Sequence, residues 1–254
     1  MSRTSLSRKL LQVLRLGAES LNDEARRRVC LYVESQRTAD EAFINRGGRP
    51  DLYYTMFGWM LCHALDMASA GKKRKAYLDS IDATRLDDLH HTIYVLCQAL
   101  HRLLSLPHPF ALLPFSFTAH TEKALRQFFE TYQRHGSGGG TNAWAARLAV
   151  SASPDSKLTE KLLAMQHPSG GFMAHENTAM PDLLSTAVAL FALSLHNIRA
   201  RYDALPFLEA HWQPDGSFAA TLLDEHGDTE YQFYGLLAIG SLQLTGSLCD
   251  NTPQ

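Results

Sequence analysis

Apolar positions along this chain fall into two kinds of stretch. Residues 52–70 are apolar most of the way round a helical wheel, with Tyr53, Met56, Phe57, Trp59, Met60, Leu61, Ala64 and Leu65. Such a helix is buried on more than one side. Residues 89–105, 183–196 and 229–243 repeat that character, and 142–151 is a shorter, worn copy. Between them, 21–36, 76–82, 119–134, 157–166 and 199–212 each show one apolar face and one polar face, as a helix on the outside of a core does. Residues 5–17 fit one more amphipathic helix, through Leu6, Leu10, Leu11, Val13 and Leu14. No segment alternates with period two, so the pattern predicts an all-α protein.

Aspartates punctuate the apolar segments. Asp51, Asp88, Asp182 and Asp228 each open one, and each is followed by a leucine- and alanine-rich run such as Leu61–Leu65 or Leu190–Leu193. An aspartate there accepts backbone N–H groups of the first turn. The aspartates recur at a period of roughly 40–47 residues, doubled between Asp88 and Asp182, which is the length of a helical hairpin repeat. The expectation is one domain over 1–254 made of about five hairpins, near 21–70, 73–105, 118–152, 156–197 and 199–244. Wound into a closed ring, they place the apolar helices around a central axis.

The remaining features narrow the class. A chain of 254 residues with 45% hydrophobic content supplies a sizeable core. A net charge of −2 disfavours a nucleic-acid partner. Cys30, Cys62, Cys97 and Cys249 are far apart, with no CxxC pair, which fits a reducing, cytoplasmic setting. The first residues are basic but lack an apolar stretch behind them, and no run of about 18 apolar residues exists to cross a membrane. Gly71-Lys72-Lys73-Arg74-Lys75 reads as a solvated basic turn. The residues 107–114, with three prolines, read as a long connection, and 136–140 as a glycine break.

Two stretches carry a family likeness. Gln166-His-Pro-Ser-Gly-Gly-Phe172 resembles the Gln-xxx-Gly-Gly-Phe/Trp loop of the prenyltransferase and squalene-cyclase repeat superfamily. Asp228-Thr-Glu-Tyr-Gln-Phe-Tyr234 resembles the D-x-Y-H-T-x-Y start of the last metal-bearing helix in protein prenyltransferase β subunits, matching at Asp228 and Tyr234. The resemblance implies an α/α toroid around an apolar cavity suited to isoprenoids. The departures are as informative. In the family, zinc takes an Asp, a Cys two residues on, and a His. Here those positions are Asp182, Leu184 and Tyr231, and one carboxylate is too few ligands for zinc. The cyclases' Asp-x-Asp-Asp-Thr-Ala loses its middle acid in Asp182-Leu-Leu-Ser-Thr-Ala187. No metal and no cofactor is therefore expected.

Polar residues in the first turns of the inner helices are the candidates for chemistry. His90, His91, Asp182, Glu230 and Tyr231 are the candidate catalytic groups. A helix N-terminus favours a neutral imidazole, suited to a general base. Tyr53, Tyr54, Phe57, Tyr94, Trp144, His175, Phe191 and Tyr234 are the candidate substrate-binding residues, whose ring faces would steady a cation. Three functions stay open. One is an enzyme performing metal-independent cyclisation or isomerisation of an isoprenoid or other long apolar substrate. Another is a non-catalytic toroid holding a hydrophobic ligand, a protein partner or a second copy of itself. The last is a scaffold whose cavity is filled by its own aromatic rings.

Overall fold

A computed structural model describes residues 5–106, 118–134 and 139–246, with the side chains of 130–134 excepted. The proline-marked connection, most of the glycine break and Cys249 lie outside the described residues. The chain forms α1 (Leu6–Glu19), α2 (Asp23–Ser35), β1 (Phe43–Ile44), β2 (Pro50–Asp51), α3 (Leu52–Ala64) and α4 (Gly71–Asp79). After a short 3-10 turn come α5 (Asp88–Leu104), α6 (Ala119–Arg134), α7 (Thr141–Val150), α8 (Ser156–Ala164), α9 (Leu183–Ser194), α10 (Leu205–His211) and α11 (Thr229–Leu244). Of the described residues 60% are helical, forming an all-α toroid in which β1 and β2 pair antiparallel.

Capping builds the inner helices as their sequences dictate. Asp51 accepts from the N–H groups of Tyr53 and Tyr54, Asp182 from Ser185, and Asp228 from Tyr231. At α5 the cap is Asp87, not Asp88: Asp87 accepts from His90 N–H at 2.8 Å, and Asp88 is the first helical residue. A second device repeats with the caps. Thr55 Oγ1 accepts the N–H of Phe43 at 2.9 Å, and Thr186 Oγ1 accepts that of Phe172 at 2.8 Å. Each threonine thus ties an aromatic residue of the preceding segment to the helix that follows it. In the last hairpin Gln232 stands where Thr55 and Thr186 do, and its amide nitrogen and oxygen are both buried without a hydrogen-bond partner.

The loop resembling the superfamily's glycine motif locks adjacent hairpins. Gln166 Nε2 donates to the carbonyls of Gly170 and Tyr202, both at 2.9 Å, while its Oε1 accepts from the N–H groups of Arg201 and Tyr202.

Inner helices touch in sequence around a ring: α3 to α5, α5 to α6, α6 to α7, α7 to α9, α9 to α11, and α11 back to α3. The sequence pattern places 119–134 outside. The structure instead seats α6 in the inner wall, because its apolar face, with Leu125, Phe128 and Phe129, is buried against the other wall helices. Six walls therefore close the ring. The basic run is corrected as well. It forms the first turns of α4, and Arg74 is fully buried, donating to the hydroxyls of Ser69 and Ser105.

Among the described residues, aromatic rings from opposite walls pack against one another where a central hollow is expected. Phe57 of α3 lies 4.8 Å from Phe233 and 5.8 Å from Tyr234 of α11, and 6.4 Å from Phe128 of α6, while Phe129 stacks on Phe191 of α9 at 6.3 Å. Between these rings remains a void of ≈ 20 Å³, room for about one water molecule. Helix α1 covers one end of this hub. It runs along α11 and reaches α3 and α6. The Glu122 carboxylate of α6 accepts from the N–H groups of Leu6 and Ser7, both at 3.1 Å, and so anchors the positive end of the α1 dipole.

Candidate functional site

Four inner helix starts are stitched into one rim. Thr141 N–H of α7 donates to Ala174 O in the loop before α9, and Leu183 N–H of α9 donates to Ala220 O in the loop before α11. Tyr53 of α3 donates its hydroxyl to Glu230 of α11 at 2.6 Å, across 177 residues of sequence. Asp51, Asp182 and Asp228 belong to this rim.

A compact cluster stands where α3 meets α11. Arg46, on the turn between β1 and β2, sets its Nε 2.6 Å from the Asp228 carboxylate and its guanidinium 5.5 Å from the centre of the Tyr231 ring. The pairing with Asp228 raises the Arg46 pKa further. Glu230 is partly buried, and desolvation pushes its pKa up to about 7, with the Tyr53 hydrogen bond opposing that rise. Burial also pushes Tyr54 up to about 12, helped by the charges of Asp228 and Glu230. Tyr231 is raised by burial, then by Glu230. The phenols of Tyr54 and Tyr231 accordingly stay protonated donors, while Glu230 changes charge near neutrality.

That titration has a measurable consequence. Because the folded-state pKa of Glu230 lies above the carboxylate's ordinary 4.5, this carboxyl keeps in the native chain a proton that it loses in the unfolded chain between about pH 4.5 and 7. The Glu230 contribution to stability should therefore fall as pH rises through that window and level off above it, while His63 and His211, whose pKa values burial lowers, contribute in the opposite direction. Glu230→Gln should remove this contribution, so that the variant gains stability relative to wild type between pH 5 and pH 8 by about 1–3 kcal/mol. Urea denaturation at pH 5 and pH 8 reads both effects; a variant with the wild-type slope would refute the assignment.

The other sequence candidates separate. His90 is held by its own cap, with Nδ1 2.8 Å from Asp87, and His91 is exposed. Both stand on α5, whose start the stitches above do not include. Asp182 is spent on capping α9, and burial raises its pKa. Among the binding candidates, Phe57, Phe191 and Tyr234 are buried in the hub. Tyr94 points its hydroxyl at Leu78 O of α4, and Trp144 lies under Lys161 of α8, so both face outer helices instead of the centre. His175 is exposed on the loop over Gly140.

Sequence reading missed Arg46 and His211. Arg46 lies on a glycine-rich turn where a lone arginine is unremarkable until Asp228 is found beside it. His211 is fully buried, with Nδ1 2.8 Å from Phe207 O. That contact assigns the proton to Nδ1, leaving Nε2 buried with no partner. Burial lowers its pKa, so it is neutral.

The family model of the prenyltransferase alpha-alpha toroid domain matches residues 140–252, which includes all of α7 to α11. This agrees with the likeness carried by the Gln166–Phe172 loop and the Asp228–Tyr234 helix start. No curated protein matches the chain.

Proposed function

We propose that this chain is a prenyltransferase-type toroid that no longer holds an isoprenoid and works by binding a protein partner on its outside. One observation carries the reading: the void between the described hub rings is ≈ 20 Å³, whereas pockets for drug-sized ligands run about 300–1,000 Å³. The aromatic rings that would line a substrate chamber pack against one another instead. The zinc positions of the resembling β subunits are Leu184 and Tyr231, in line with a lost ancestral site.

The test is uptake of a long apolar ligand. Native mass spectrometry of the purified chain, incubated with farnesol, should show no bound lipid and no carried-through lipid. A stoichiometric prenyl adduct would sink the reading.

A second reading rests on the Tyr53–Glu230 pair. A carboxyl group near pKa 7 beside a phenol donor suits proton transfer at neutral pH. It stands at the rim, so it would act on a substrate too large for the hub. Turnover that vanishes in both Glu230→Gln and Tyr53→Phe, with folding intact, would favour this reading over the first.

A further inference from the structure

Beside the rim cluster, a groove of ≈ 480 Å³ runs between α2, the β1–β2 turn and the loop leading into α11. Its charge is one-sided. Asp215, Asp224, Glu225 and Asp228 line it, against Arg46, which is already paired with Asp228. The turns around Asp215 and Asp224 use one oxygen of each carboxylate: Asp215 Oδ1 accepts from Ser217 and Asp224 Oδ2 accepts from Thr221. Among the described residues, no three His, Cys, Asp or Glu side chains come together as a metal site would need. The acids are spread along the groove instead, which suits an extended organic cation.

An uncharged residue points the same way. Tyr32 of α2 lines the groove and is only 8% exposed. Its hydroxyl makes no hydrogen bond among the described residues. Burial, then the charges of Asp228 and Asp215, raise its pKa, so the phenol stays intact beside these carboxylates. The side chain is thus more than nine-tenths buried, while its hydroxyl is left accessible and unpartnered on the groove, open to a ligand there. A third observation selects the kind of ligand. Leu222 and Leu223, immediately before Asp224, are 62% and 77% exposed. Bare leucines next to a charged groove mark a protein-binding surface, not a small-amine pocket.

We propose that this groove binds an extended basic segment of a partner protein, its lysine or arginine heads meeting Asp215, Glu225 and Tyr32 and its apolar side chains covering Leu222 and Leu223. The proposal rests on the partner-binding reading above and gives it a surface.

The probe is a short fluorescein-labelled peptide of lysine, leucine and glycine, measured by anisotropy on the full chain, with a glutamate-for-lysine peptide as control. The lysine peptide should bind and the glutamate peptide should not. Asp215→Asn with Glu225→Gln should weaken binding about tenfold. Tyr32→Phe, which changes no charge, and Leu222→Ser with Leu223→Ser should each weaken it about threefold. Asp79→Asn with Glu160→Gln, removing the same charge from exposed outer helices, should leave it unchanged. Equal loss in this remote pair, or no preference for the lysine peptide, overturns the proposal. Spermine binding as tightly as the peptide, with the leucine variant unaffected, also overturns it in favour of a small amine. None of these failures touches the filled hub, which is read separately by farnesol uptake.

Discussion

Phe128→Ala should destabilise the chain by about 3–5 kcal/mol and turn the closed hub into a binding cavity. Phe128 is one of the rings that α6 contributes to the centre, 6.4 Å from both Tyr53 and Phe57. It is 7% exposed, and its neighbours Phe57 and Phe233 are held from other walls, so they cannot collapse fully into the space it leaves. The cost therefore includes lost transfer energy and an unfilled cavity. The cavity would be apolar and dry, the kind that takes up benzene. Urea denaturation gives the stability change. Thermal unfolding with and without benzene should show a ligand-dependent rise in Tm for the variant only. A loss under about 1 kcal/mol, or benzene stabilising the wild type equally, would mean that the hub is not packed as described.

Gly240→Ala should also destabilise, by about 3 kcal/mol, although alanine is the better helix former. A β-carbon at Gly240 would lie 1.8 Å from the carbonyl oxygen of Val13 on α1, and one at Gly17 would lie 1.9 Å from that of Leu236 on α11. These contacts are with backbone, so no side chain can rotate away; the two helices must separate. In an isolated helix the same change would gain roughly 1 kcal/mol, so the sign itself is diagnostic. Gly17→Ala should cost a similar amount. The double variant should cost less than the sum, since one displacement of α1 relieves both clashes. Chemical denaturation of the three variants decides this. A stabilised Gly240→Ala would show that α1 does not seat there, and that this end of the hub lies open.

The acid–base candidates divide by the range of the information they need. Asp51, Asp182 and Asp228 were readable as caps because capping acts within one turn, and the one-residue shift from Asp88 to Asp87 is an error of the same local kind. The Tyr53–Glu230 pair was readable only as two separate candidates. Their hydrogen bond joins the first inner helix to the last and exists only when the ring closes. His90 and His91 resembled the other first-turn residues in sequence, yet none of the described hydrogen bonds that join the rim includes the start of α5. The groove of the further inference was hidden for the same reason: Tyr32, Arg46 and Asp215 come from three distant segments.

The sequence by itself determined the helices, their caps, the hairpin repeat and the toroid class, since apolar periodicity and first-turn hydrogen bonding are local. Tertiary structure alone decided that α6 joins the inner wall and that the described hub rings pack against one another. An amphipathic helix states how much surface it must bury and not against which neighbour. Aromatic side chains satisfy the same pattern whether they line a chamber or fill it, and only the distances between opposite walls separate the two.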